Sequence, residues 1–543
     1  MIKYIFILLT GFLVSIVTGC DNTNLTHSIS MVPRPAQMMP GSGNHLFSDQ
    51  TVFVVENEEQ AEVARSLIAL FTRTAGFTPK LNVGGEGNVR LLTDPSLKSE
   101  AYSLEVSPQE IIIKASDNKG FFYALQTIRQ LLPPSIERES LSDKNLEWSI
   151  PVVTIQDEPR FGYRALLLDA SRFFIPKENV LRIIDCMSML KLNTLHFHLT
   201  DDNGWRVEIK KYPRLTEVGA WRVDRQDLPF PARRNPKKGE PTPVGGFYTQ
   251  EDIREMVAYA AEHHVTIVPE IDIPGHMLAA LTAYPSLGCI QKGYQVGTQW
   301  GIYSDVLCAG NAACYTFLKD VMQEVIELFP GPYIHIGGDE CPNERWKSCE
   351  KCQSWMRKNH ISDEYALQSY VIEYVGKYLK KHHKRLIGWD EILEGGIGRE
   401  AVIMSWRGVK GGITAAKAGN LVIMAPNTHM YLNHYQSNML FEPLAHGRVA
   451  SLEWVYSFNP IPDVLTPEEA KKVLGIQGNV WTEYLPTYQL VEYMAYPRAS
   501  AVAEIGWSQP ENRNWKDYLK RLQIQFERWR YYQVNCALHY KLP

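Results

Sequence analysis

The sequence predicts an α/β protein: a (β/α)8 TIM barrel preceded by a small α/β domain. Three observations carry this reading. From about residue 160, eight short apolar runs alternate with stretches of helical periodicity. Polar and titratable residues gather where those runs end, which is where a barrel enzyme keeps its chemistry. No Gly-rich phosphate turn succeeds the first run, although the competing doubly wound sheet would need one.

The elements run in chain order. Lys3 opens a short positive region, and residues 5–17 are apolar but fall short of the ~20 residues a spanning helix needs. Residues 1–19 therefore read as a secretory signal. Val17-Thr18-Gly19-Cys20 resembles a bacterial lipobox, with Cys20 as the acylated first residue of the mature chain. Residues 20–30 then form a polar tether. This implies an exported lipoprotein in the periplasm or at the outer-membrane or cell surface, anchored to the membrane only through Cys20.

Residues 31–155 read as the small α/β domain. Segments 51–55 and 89–93 are strand-like, and 60–75 has helical periodicity. Segments 101–106 and 110–115 are two strands split by a Ser-Pro-Gln turn, and 120–132 is an amphipathic helix closed by Pro133-Pro134. Residues 156–543 hold the barrel. Its strands are 165–169, 194–199, 265–271, 333–336, 386–389, 402–406, 421–425 and 474–481. Ile175-Pro176, Phe329-Pro330-Gly331 and Gly411-Gly412 mark helix breaks. Residues 205–249, rich in Pro and charge, form an insertion-like loop, and the basic, aromatic helix 515–532 is suited to closing the barrel.

Composition narrows the function. Apolar residues make up 45% and charged residues 21%, which suits a large core and argues against disorder. The net charge of −4 argues against a nucleic-acid partner held by phosphate neutralisation. The 13 Trp and 27 Tyr suit the flat faces of sugars, although most such rings pack in the core of any large protein. Eight cysteines remain besides Cys20. Cys289 and Cys308 flank a Gly-rich loop and are candidates for one pair. Cys349-x-x-Cys352 reads as a pair, a metal half-site or chance spacing. No second Cys-x-x-Cys completes a four-thiolate site, so no metal is expected.

The strand ends carry the chemistry: Asp169-Ala-Ser-Arg172, His196-Phe-His-Leu-Thr-Asp-Asp202, Glu270-Ile-Asp-Ile-Pro-Gly-His276, His335-Ile-Gly-Gly-Asp-Glu340, Trp389-Asp-Glu391, Ser405-Trp-Arg407 and Trp481-Thr-Glu483, with strand seven leading to Tyr431-Leu-Asn433. In a regular strand Asp339 and Glu340 would face opposite ways. Gly337 and Gly338 permit the chain to leave the pleat so that both carboxylates serve one substrate. Close carboxylates push one pKa up, and a protonated acid beside an ionised one is what glycoside cleavage needs. His196-x-His198 has metal-ligand spacing, but a metallohydrolase would need further histidines at later strand ends, and only His276 is obvious. His335 reads as packing. A sugar-binding protein on the same scaffold would lack Asp339 or Glu340, and both are present.

The motifs Leu168-Asp-Ala-Ser-Arg172, His198-Leu-Thr-Asp-Asp202, Pro274-Gly-His276 and His335-Ile-Gly-Gly-Asp-Glu340 resemble those of family 20 glycoside hydrolases, the β-N-acetylhexosaminidases. Val32-Pro-Arg-Pro and Gly120-Phe-Phe-Tyr-Ala-Leu-Gln-Thr-Ile resemble the small domain that precedes their barrel. The resemblance implies substrate-assisted retention, in which the substrate's 2-acetamido carbonyl attacks C1 and gives an oxazolinium ion. It also implies roles. Glu340 is the general acid/base, and Asp339 binds the acetamide N–H. Asp201 and His276 stand behind the acid. Arg172 holds the 3- and 4-hydroxyls, and Glu483 the 4- and 6-hydroxyls. Trp389, Trp406 and Trp481 wall the sugar, and Tyr431 holds the acetamide oxygen. Asn433 stands where many bacterial members carry Asp. The implied partner is a glycan ending in β-linked GlcNAc or GalNAc, with no cofactor and no nucleic acid.

Overall fold

The computed structural model describes residues 29–141, 146–226, 228 and 232–542. The expected signal segment (residues 1–19) and Cys20 lie outside them.

The small domain is a seven-stranded mixed sheet with two helices on one face. Its elements are β1 (Gln37–Leu46), β2 (Val52–Val55), α1 (Glu58–Leu70), β3 (Lys80–Val83), β4 (Val89–Thr93), β5 (Tyr102–Val106), β6 (Ile111–Ala115), α2 (Asn118–Leu131) and β7 (Ser149–Asp157). The sheet order is β1-β7-β5-β6-β4-β2-β3. Strands β5 and β6 bury alternate residues, as a sheet covered on one face does. Asn57 and Asp117 cap α1 and α2 by accepting from Gln60 N and Gly120 N. Strands β1, β3 and β7 are not apparent from the sequence.

Helix α2 is buried almost all round, because a second layer covers its outer face. Phe122 meets the His264 ring at 4.6 Å, and Tyr123 meets Trp507 at 4.9 Å. Buried ion pairs also cross this boundary: Lys191 Nζ to Asp157 at 2.9 Å and Arg164 Nη1 to Glu100 at 2.8 Å. The small domain is thus built into the barrel's flank.

The barrel closes as eight parallel strands: β8 (Tyr163–Asp169), β9 (Thr194–His198), β10 (Thr266–Glu270), β11 (Tyr333–His335), β12 (Arg385–Trp389), β13 (Val402–Ser405), β14 (Leu421–Met424) and β15 (Val473–Val480), which returns to β8. All eight runs expected from the sequence are strands of this barrel. Between them lie α3 (Lys177–Met189), α4 (Gln250–Glu262), α5 (Ala312–Leu328), α6 (Glu364–Lys381) and α7 (Lys410–Ala418). Gly411 and Gly412 sit inside α7 rather than before it: a Cβ on either would press on Asp390 or Met424, so the glycines let the helix pack closely. After β15 come α8 (Arg498–Trp507) and α9 (Trp515–Tyr531). Helix α9 seals the seam between the domains as well as the barrel. Arg528 Nη2 donates to Gln130 O and Leu132 O in the small domain. Arg521 donates to Met31 O (2.8 Å) and to buried Glu504 (2.5 Å).

The start of the 205–249 segment is anchored rather than loose. Buried Arg206 donates to Ala170 O (3.0 Å), Ser171 O (2.6 Å) and Ala220 O (2.6 Å), and so pins the turn that carries Arg172.

The cysteines depart from expectation. Cys289 and Cys308 are not paired with each other, and all eight described cysteines are free thiols. Cys289 Sγ instead lies 3.9 Å from Cys352, and Cys308 lies 3.8 Å from Cys349 and 3.7 Å from Cys352. Nor does the lone Cys-x-x-Cys exclude a four-thiolate group. The missing half comes from two separate turns, which chain spacing does not display.

Candidate active site

The carboxyl ends of the strands meet around buried Glu270, the last residue of β10. His198 Nδ1 lies 2.5 Å from its Oε2, His335 Nδ1 lies 3.0 Å from its Oε1, and Trp389 Nε1 donates to Oε1 at 2.8 Å. Burial opposes ionisation of Glu270, but the neighbouring His335, His198 and His196 hold it well below the carboxylate range. His198 places its other nitrogen 3.0 Å from Asp201. Burial works against its charge, yet Glu270 and Asp201 push it up to about 10. The His-x-His pair is therefore engaged with carboxylates at the base of the site, and His335, expected to be packing, belongs to the same network.

Asp201 links this base to the layer that faces the cavity. Arg172 Nη2 pairs with it at 2.7 Å, while His276 Nδ1 is 3.3 Å from it and 3.0 Å from Asp202. The sequence assigns Asp202 no role of its own, but it is the nearer partner of His276. It also accepts from Leu278 N at 3.0 Å, which fixes the turn after His276. Burial disfavours an imidazolium, but Asp201 and Asp202 raise His276 well above the usual range. Its Nε2 then faces Glu340 at 3.5 Å and Asp339 at 3.9 Å.

The chain leaves the pleat where the glycines predict. Gly337, Gly338 and Glu340 have φ of 65°, 90° and 43°, so the two acidic side chains turn toward one space. A Cβ on Gly337 would lie 1.7 Å from Asp272 Oδ1. That atom accepts from Gly338 N at 3.2 Å, so Asp272 holds the turn from below. Burial, then the Asp339 charge, raises Asp272 well above the usual carboxylate range. Asp339 itself is pushed up to about 6 by burial, with Glu340 and Glu270 adding and His276 opposing.

Arg172, Asp339, Glu340, Trp406, Tyr431, Asn433, Trp481 and Glu483 line one cavity of about 180 Å³. Trp389 lies just beneath, 5.9 Å from Trp481 between ring centres. Tyr431 stands 6.2 Å from Trp481 and 6.0 Å from Trp406. The Arg172 guanidinium lies over Trp481 at 5.1 Å. Every site residue named from the sequence, Cys20 apart, thus lies in or directly behind this cavity. Three buried side-chain oxygens here lack a partner among the described residues: Asp339 Oδ1, Asn433 Oδ1 and Glu483 Oε2. Buried acceptors are costly unless something donates to them. Burial, more than Asp169 and against Arg172, pushes Glu483 up to about 7.

Sequence reasoning misses further lining residues. Trp300, His446 and Arg448 reach the cavity from long connections without periodicity. Glu391 stands close after a named Trp and accepts Trp406 Nε1 at 2.8 Å. Burial, then Asp339 and Asp390, pushes it up to about 9. A second, more open depression of about 660 Å³ joins the cavity at Glu340 and Trp406, with Ile302, Tyr365 and Glu391 in its wall.

The chain resembles known proteins over most of its length. The profile of "Glycosyl hydrolase family 20, catalytic domain" matches residues 161–510, and that of "Glycosyl hydrolase family 20, domain 2" matches residues 28–158. A β-hexosaminidase of Porphyromonas gingivalis is 43% identical over 521 residues; the alignment covers 95% of this chain and 65% of that protein's length. The exo-β-N-acetylglucosaminidase of Vibrio harveyi, solved with N-acetylglucosamine, superposes with a TM-score of 0.82 at 32% identity, covering 93% of this chain and 78% of that one. The Streptomyces plicatus N-acetyl-β-hexosaminidase, solved with thio-NAglucal, gives 0.81 at 30% identity, covering 93% and 96%.

Proposed function

The chain belongs to glycosyl hydrolase family 20, and on that premise we propose that it is an exo-acting, retaining β-N-acetylhexosaminidase that removes terminal β-linked GlcNAc or GalNAc. One observation supports this most: three buried side-chain oxygens without a partner among the described residues converge on a cavity walled by Trp406, Trp481 and Tyr431. A 2-acetamido sugar supplies one N–H, several hydroxyls and flat apolar faces. The open depression beyond Glu340 accommodates the rest of the glycan.

The chemistry derives from the positions. Asp339 Oδ1 accepts the acetamide N–H, and Tyr431 donates to the acetamide oxygen. The acetamide carbonyl is thereby held beneath C1, where an intramolecular attack gains a large effective concentration. The C–O bond to the leaving group breaks as Glu340 gives it a proton. Ionised Asp339 stabilises the oxazolinium ion that forms. Water then enters from the side of the departed group, Glu340 takes its proton, and the new C1–O bond restores the acetamide with the β configuration. Arg172 and Glu483 hold the ring hydroxyls, and Asn433 orients the acetamide neighbourhood. His276, backed by Asp201 and Asp202, sets the charge around Glu340 (a positioning role).

The test is turnover of an aryl N-acetyl-β-glucosaminide, with the anomer of the first product read by NMR. Expected is a β product, together with strong inhibition by a thiazoline that mimics the oxazolinium ion. An initially α product, or no turnover, would overturn the reading. A panel of defined GlcNAc- and GalNAc-terminated glycans then identifies the substrate.

We also propose that the enzyme is exported and lipid-anchored at Cys20, from the lipobox-like Val17-Thr18-Gly19-Cys20. Cys20→Ala is expected to move activity from the membrane fraction to the soluble one. Retention in the membrane fraction would refute the anchor.

A further inference from the structure

Four cysteines outside the sugar site converge on one point. Cys289 and Cys308 come from the long connection after β10, and Cys349 and Cys352 from the start of the helix Glu350–Asn359 after β11. All four sulfurs lie within 4.8 Å of one another. The closest separations are 3.7, 3.8 and 3.9 Å. A tetrahedral ion with Zn–S bonds of ~2.3 Å sets its sulfurs ~3.8 Å apart. Disulfide-bonded sulfurs would be ~2.05 Å apart, and none of the four is bonded.

The surroundings fit a thiolate cage. Gly310 N donates to Cys352 Sγ at 3.4 Å, the kind of amide contact that steadies a ligating sulfur. Gly310 is required there: a Cβ would lie 2.2 Å from the Lys351 carbonyl group. The pairing of Gly288 with Leu307 aligns the two turns that carry Cys289 and Cys308, and Cys308 N donates to Leu287 O at 2.8 Å. Cys308 and Cys352 are buried, while Cys289 and Cys349 are partly covered.

We propose that these four cysteines bind one structural zinc ion that fastens the loop of His276 to the loop of Glu340. Four thiolates leave no open coordination position, so the ion serves structure rather than the reaction. Each thiol gives up its proton as the ion binds. The two loops already touch along their length. Gly275 packs against Asp339 O and the Cys341 backbone. Leu307 N donates to Pro274 O at 3.0 Å, Leu307 O accepts from Trp346 Nε1 at 2.8 Å, and Arg345 pairs with Asp305 at 2.7 Å. The zinc would close the outer end of this seam, whose inner end is the catalytic turn.

The experiment measures metal and thiols on the purified full chain. Expected is one zinc per chain by elemental analysis, with four thiols that react only as a mercurial releases the ion. Cobalt exchanged into the site should show the intense bands of a tetrahedral thiolate complex. Cys352→Ser should abolish stoichiometric zinc, while Cys536→Ser, outside the cluster, should leave it unchanged. Should Cys352→Ser fail to fold, the mercurial titration and the cobalt spectrum of the unaltered chain decide the matter alone. Two disulfides among these four residues, seen as a mass lighter by four hydrogens, would overturn the proposal. So would free thiols that take up no zinc when it is supplied. None of these readouts depends on glycosidase activity.

Discussion

Replacing Asp339 with Asn isolates one charge at the centre of the site. The amide keeps the size of the side chain and an acceptor oxygen, but loses the negative charge. At ~4 Å from the positive charge that develops on the acetamide, and with an effective dielectric of ~20, that charge contributes ~4 kcal/mol. At 1.36 kcal/mol per decade, the expected fall in kcat/KM is ~10³-fold. Folding should not suffer. Asp339 sits above Asp272 and near Glu391, both held up in part by its charge, so neutralising it removes like-charge repulsion. The assay is hydrolysis of an aryl N-acetyl-β-glucosaminide at pH 7, with thermal melting as the folding control. The same substitution tests the pH profile. Asp339 must be ionised to act, and it is pushed up to about 6. Activity should therefore rise with pH through that region, as a limb belonging to the whole coupled carboxyl cluster. The limb should disappear in Asp339→Asn. A variant within tenfold of wild type at pH 7, or one that keeps the acid limb unchanged, would refute this account.

The same geometry gives other outcomes. Glu340→Gln should lower turnover by ~10²–10⁴-fold, least for aryl leaving groups that need no proton, with no loss of melting temperature because the side chain is 33% exposed. Glu483→Ala removes a buried acceptor in the sugar cavity; kcat/KM should fall by ~10–100-fold, the equivalent of about 1.5–3 kcal/mol for a charged hydrogen bond. A titration of GlcNAc against GlcNAc-free buffer, read by tryptophan fluorescence, should show weaker sugar binding in that variant. Glu504→Gln, far from the cavity, should destabilise by about 1.5–3 kcal/mol in urea unfolding, since it removes the buried charged acceptor of Arg521 and leaves it only the more exposed Asp517. Its folded fraction should keep normal kcat.

Much of the site is legible in the sequence because its signals are local. The alternation of apolar runs and helices fixes the strands, and a barrel gathers the residues after each strand on one rim. Gly337-Gly338 ahead of Asp339-Glu340 announces a turn out of the pleat, since φ of 65° and 90° is open mainly to glycine. The tertiary structure decided the features that distance along the chain conceals. Strand β1, with Pro40, Gly41 and Gly43 and mostly exposed side chains, has no strand-like pattern of its own; it is a strand because β7, more than a hundred residues on, pairs with it. Glu270 reads as one more carboxylate until three histidines and Trp389 close around it. The four cysteines have no shared spacing, and only the packing of two loops brings their sulfurs together. Local sequence sets backbone conformation and the placement of chemistry along each strand end. Contacts between distant segments set burial, and burial decides which carboxylates stay charged and which acceptors await a ligand.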